Sequence, residues 1–178
     1  MITSHAQQSI GWLPVATAFG GYGTAFITEW FRDLRTTRRE REARAAKWAD
    51  DLRARQVEFQ RQTLLDLQET MFQLARATGS IHHQDDKTFR KTGVWGKQLV
   101  DDGLSEGHRV AMARTNMLEA RVRDDEIRHL VGQFRTCCAG ASTSRSEADA
   151  GRCMASMMGI QEKTNERIGQ VLRSLDVL

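Results

Sequence analysis

The sequence predicts an all-α fold: an N-terminal transmembrane helix continuing into a cytosolic antiparallel helical bundle, with the chain oligomeric. Three observations predict it. The 178 residues include a single proline, Pro14, and are rich in Gln, Glu, Arg, Ala and Leu, a composition that favours helix. Sustained alternation of β-branched and aromatic residues, the pattern of a strand, appears nowhere. From Ile10 to Thr28 the stretch IGWLPVATAFGGYGTAFIT carries no ionisable charge, and beyond it apolar residues recur at helical steps.

Four segments follow in order. Residues 1–9 form a short extracytoplasmic tail without Lys or Arg, and residues 10–31 form the transmembrane helix. At 1.5 Å per residue this span covers about 33 Å, enough for the hydrocarbon core, and Glu29 is its only charge. Trp12 stands near one end and Trp30 with Phe31 at the other, where amphipathic rings prefer the interfaces. A cleaved signal peptide is the competing interpretation, favoured by the triplet Ala16-Thr17-Ala18. No basic residue precedes the apolar run, however, and the run before that triplet is too short.

Residues 32–47 are a basic juxtamembrane stalk, with Arg32, Arg35, Arg38, Arg39, Arg41, Arg44 and Lys47 against Asp33, Glu40 and Glu42. The positive-inside rule places the N-terminus outside and the rest in the cytoplasm, at the inner membrane of the cell. Anionic lipid head groups are the expected partner of this belt, in preference to nucleic acid; the formal net charge of +3 argues only weakly for a nucleic-acid partner.

The span has a marked small-residue face. Ala16, Gly20, Thr24 and Thr28 recur every four residues, with Thr17 and Gly21 beside them. Small residues at this spacing let helix backbones approach, and threonine can hydrogen-bond across the contact. Self-association in the membrane is the simplest expectation. Packing alone explains the face; a narrow conduit lined by Thr17, Thr24 and Thr28 is the sharper hypothesis. Gly21-Tyr22-Gly23 has only a superficial likeness to a potassium-channel filter, which needs a re-entrant loop between two spans.

Residues 48–178 form the cytosolic helical bundle. Ala45, Trp48, Leu52 and Phe59 begin an apolar stripe, and Leu64, Leu67, Met71, Leu74 and Thr78 continue it with 3-4 spacing. Gly79-Ser80 reads as the stop of this first helix. The segment IHHQDDKTFRKTGVWGKQLVDDG then predicts a short helix broken near Gly93 and Gly96. A further helix is expected from about Leu104 through Phe134, with i to i+4 ion pairs of Asp124 with Arg128 and Asp125 with His129. The run 139–151 is small and polar and reads as beginning in a turn. Met154, Met157, Gln161, Thr164, Ile168, Val171 and Leu175 mark the last helix. Helices joined by short loops make an antiparallel bundle the economical architecture.

The sequence offers no catalytic residues and implies no enzyme and no cofactor: there is no Walker loop, no GxSxG and no carboxylate pair in an apolar setting. His82-His83 followed by Asp85-Asp86 lacks metal-ligand spacing, because adjacent histidines do not share a helical face. Cys137, Cys138 and Cys153 are odd in number and make no disulfide framework, so reduced thiols are expected. An anionic ligand is better served. His82, His83, Lys87, Arg90, Lys91 and Lys97 lie within sixteen residues, interleaved with Phe89 and Trp95. Basic side chains hold phosphates and aromatic rings stack bases. Arg109, Arg114, Arg121 and Arg123 could join them if the bundle folds back; taken singly, each of these charges is equally explained as a solvated surface.

The span Ile10–Thr28, the arginine belt 32–44 and the bundle 52–175, without an enzyme motif, resemble the small single-span membrane effectors of bacterial anti-phage defence, and among them the channel subunit of the Hailong system. That resemblance rests on architecture along the chain. It implies a tetrameric ion channel held shut by single-stranded DNA oligomers that a partner nucleotidyltransferase makes, and opened when infection removes them. The expected function is therefore an oligomeric effector that forms or gates an ion-conducting pore under control of its cytosolic domain. The alternative is a non-conducting, membrane-tethered adaptor whose bundle recruits a protein.

Overall fold

The computed structural model describes the backbone of residues 13–96 and 100–175, and the side chains of 38–96 and 100–175. Among the described residues every regular element is helical: α1 (Leu13–Thr92), α2 (Asp102–Glu119), α3 (Asp125–Thr143) and α4 (Glu147–Leu175). The all-α expectation holds. No helix is long and apolar enough to cross a membrane, a search that covers only described residues. The tail 1–9 lies outside those residues. The expected span 10–31 follows α1 from Leu13, but its side chains lie outside the description, and with them the face of Ala16, Thr17, Gly20, Gly21, Thr24 and Thr28.

The chain divides into two compact units, Met1–Arg53 and Ala54–Leu178. In the first, the described side chains of the basic stalk are exposed and stitched along the helix. Arg38 pairs with Glu42 at 3.0 Å, Arg44 with Glu40 at 3.3 Å, and Arg53 with Asp50 at 3.2 Å. Exposed pairs of this kind contribute about 0.3–0.5 kcal/mol each. Two of the belt's arginines thus have a carboxylate partner one turn away. Trp48, at the start of the apolar stripe, is 68% exposed.

The second unit is an antiparallel four-helix bundle, and its register follows from paired residues. Gln68 donates to Asn165, and Gly79 faces Met154, so α1 and α4 run oppositely. Glu119 pairs with Arg135 at 2.6 Å across the α2–α3 turn. Leu64, Leu67, Met71 and Leu74 of α1 meet Ala111 and Leu118 of α2, Ile127, Val131, Phe134 and Cys138 of α3, and Met157 and Ile168 of α4 in one core. Four threonines are also fully buried: Thr70, Thr78, Thr115 and Thr164. Each hydroxyl donates to the carbonyl four residues earlier, at 2.7–2.8 Å, so none brings an unsatisfied donor inside. The polar positions in the apolar seams are accommodated in this way.

Three expectations are corrected. Gly79-Ser80 does not end α1. Gly79 sits under Met154, Ser80 bonds back to the Arg76 carbonyl, Ile81 and Asp85 continue the buried face, and the helix runs on to Thr92. The stop is Gly93, at φ 67°, whose N–H bonds the Phe89 carbonyl at 2.8 Å in a left-handed cap. Second, the helix expected from Leu104 to Phe134 is two helices. Asp124 accepts from the Ile127 N–H at 2.9 Å and caps α3 rather than pairing with Arg128. Arg128 bonds Asp125 and the Val122 carbonyl, and His129 contacts Gln133, not Asp125. Third, residues 139–143 belong to α3, because Ala141 is buried in the bundle; the turn is only 144–146. Ser146 then accepts from the Asp149 N–H and caps α4.

Candidate ligand site

The last turns of α1 and the segment after it bring together some of the residues expected to hold an anion. Gly93 and Gly96 both adopt left-handed backbone, at φ 67° and 68°. A β-carbon costs about 1–2 kcal/mol in that conformation, so glycine suits both positions. Between them the chain turns back, with the Val94 N–H donating to Thr92 Oγ1, and Trp95 goes inside, 8% exposed. The His82 ring meets Trp95 edge-on at 5.4 Å between centroids, and Phe89 meets it at 5.8 Å. Such pairs add about 0.5–1.5 kcal/mol each beyond burial. Gly96 lies close to the Ser144 carbonyl, 3.3 Å from where its β-carbon would stand, so the α3–α4 turn closes this end of the bundle.

Polar atoms of this cluster lack partners. Among the described residues, Trp95 Nε1, His82 Nε2 and Gln84 Oε1 are buried without a hydrogen bond, as is His108 Nε2 on α2. Each such group costs about 1–3 kcal/mol when left unmade. Burial pushes the Asp85 carboxyl above its ordinary range, only partly opposed by His82. It pushes the His108 imidazole below its ordinary range. Among the described residues no three of His, Cys, Asp and Glu are grouped to hold a metal ion.

The basic residues form an outer fringe. His83, Lys87, Arg90 and Lys91 are exposed, and Arg90 is held by Asp86 at 2.9 Å. Arg90 and Lys91 also occupy the last turn of α1, where cations favour the helix dipole. Lys97 lies outside the described residues. Arg114 and Arg121 are exposed on α2 and just after it, away from the cluster. The Arg121 carbonyl is bonded by Gln60, 22 residues before His82 on α1, which is roughly 33 Å at 1.5 Å per residue. A single nucleotide cannot touch His82 and Arg121 together.

Two positions carry more of this architecture than their spacing in the sequence suggests. Gln60 donates to the Arg121 carbonyl at 2.9 Å and accepts from the Arg123 N–H at 3.1 Å, clamping the α2–α3 turn. His108 is the second, a half-buried imidazole on a polar-looking helix, with its Nε2 enclosed. No family model, curated protein or solved structure matches the chain.

Proposed function

We propose that the chain is an oligomeric membrane effector that forms or gates an ion-conducting pore under control of its helical bundle, in anti-phage defence. The observation that carries this is the uncharged stretch 10–28, with its face of small residues and threonines, followed directly by the arginine belt. A tether alone has no use for Gly20 and Thr24 on one face with Ala16 and Thr28. The inner membrane is the location, with the N-terminus outside. The regulating ligand is an anionic nucleotide or single-stranded DNA, in keeping with the resemblance to defence channels, and a nucleotidyltransferase partner would supply it. Its site on the bundle is the exposed fringe of His83, Lys87, Arg90 and Lys91, carried by the cluster of His82, Phe89 and the buried Trp95 beneath it. Arg114 and Arg121 are reached only by a ligand long enough to run along α2.

The test is ion flux through liposomes carrying the full chain. Flux that falls on adding a single-stranded thymidine oligomer, and that is abolished when residues 10–31 are replaced by polyleucine, is the expected result. Flux unchanged by the polyleucine replacement would sink the pore. The second reading, a non-conducting adaptor, is favoured by exposed apolar side chains on the bundle, among them Phe72, Val110 and Met117. It requires a bundle that functions without the span and a full chain that carries no current.

A further inference from the structure

We propose that Cys137 and Cys153 form a redox modification site, at which a peroxide joins the two thiols in a disulfide that ties α3 to α4. The two residues lie on the arms of one helical hairpin, eight positions to either side of Arg145 in the α3–α4 turn. Gly140 brings the arms close. A β-carbon there would stand 2.9 Å from Cys153 Sγ and 3.9 Å from its Cβ, so the Cys153 thiol occupies the notch that the missing side chain leaves. Cys137 is three residues before Gly140. Positions three apart are neighbours on a helix surface, about 5–6 Å between β-carbons, so the Cys153 sulfur rests over the turn that carries Cys137.

Exposure distinguishes the pair from the third cysteine. Cys137 and Cys153 are half-buried, within reach of a small oxidant, whereas Cys138 is fully enclosed in the core. Burial raises the Cys138 thiol to about 12, only partly opposed by the neighbouring Thr78 hydroxyl, so it has almost no thiolate to offer. Burial raises Cys137 as well, and the nearby Cys153 sulfur raises it further, a separate sign of their closeness.

The chemistry balances with hydrogen peroxide as the oxidant. One thiolate attacks the O–O bond, becoming a sulfenic acid and releasing hydroxide, which takes up the thiol proton as water. The second thiol's sulfur then displaces the hydroxyl from the sulfenic sulfur, and its own proton leaves with that hydroxyl as a second water. The thiols lose two electrons, the peroxide gains two, and one S–S bond forms.

The experiment treats the full chain with hydrogen peroxide, then alkylates the remaining thiols under denaturing conditions and maps tryptic peptides without reduction. Free thiols are expected to fall from three to one. The peptide beginning at Cys153 should be joined to the one carrying Cys137 and Cys138. The link should persist in Cys138→Ala and vanish in Cys137→Ser. Gly140→Ala, folded by circular dichroism, should form it several-fold more slowly because the new methyl displaces the Cys153 sulfur. A link that survives Cys137→Ser, disulfides only between separate chains, or oxidation to sulfinic acid with no link would each overturn the proposal.

Discussion

At the scale of single residues, Gln60 shows how one side chain can set a connection. Its amide fills both hydrogen-bonding roles toward the α2–α3 turn, at Arg121 and Arg123, and it is buried beneath them. Gln60→Leu leaves a carbonyl and an N–H without partners. It should cost about 2–6 kcal/mol in urea unfolding followed by circular dichroism, at about 1–3 kcal/mol for each group. A loss below about 0.5 kcal/mol would mean that water replaces the amide. Phe134 makes the opposite case, since it is wholly enclosed and apolar. Phe134→Ala should cost about 3–5 kcal/mol in the same measurement. Trp95 is less predictable from its neighbours in sequence. Its basic and aromatic surroundings suggested an exposed stacking platform, but the two left-handed glycines turn it inward against His82 and Phe89.

At the scale of elements, the helix ends carry most of what local sequence hid. The apolar seams of α1 and α4 were legible because 3-4 spacing reports directly which face is buried; Leu64, Leu67, Met71, Met157 and Ile168 all lie in the core. The ends were less so. Gly79 looks like a terminator, yet a glycine inside a helix also admits a close neighbour, here Met154, and only the tertiary contact distinguishes the two uses. Asp124-Asp125 likewise looks like part of a continuous helix until Arg167 on α4 is seen to meet it. Gly93 is the true end of α1, with open space where a β-carbon would stand. Gly93→Ala should therefore destabilise by backbone strain alone, about 1–2 kcal/mol in urea; no change would show that the cap relaxes freely.

Asp124 gives the α3 start a pH signature. Burial pushes its carboxyl up, but the Arg167 guanidinium at 2.8 Å and the Ile127 and Glu126 N–H groups outweigh that and hold it below 3.8. Its folded value is depressed, so its stabilising contribution is present above the unfolded value and is lost as pH falls through the folded one. Unfolding free energy should decline below pH 3.8 more steeply in the parent than in Asp124→Asn, which keeps the cap and loses the charge. Equal slopes in the two proteins would assign the acid sensitivity to other carboxylates.

At the scale of the whole molecule, the all-helical class and the bundle were open to reading because composition and periodicity are properties of every segment. The candidate ligand site was only partly so. Sequence proximity grouped His82, Phe89 and Trp95, which do meet, but it offered no means of seeing that Arg121 belongs to the far end of α1's bundle segment. The proposed membrane function rests on the N-terminal stretch and its small-residue face. If Ala16, Gly20, Thr24 and Thr28 pack against copies of themselves, the chain cannot be a monomer in a membrane-like solvent. The direct measurement is the mass of the full chain in detergent micelles, with the Gly20→Leu/Thr24→Leu variant beside it. The account predicts a discrete oligomer for the parent and a shift toward monomer for the variant. A parent chain that is monomeric at every concentration would contradict it.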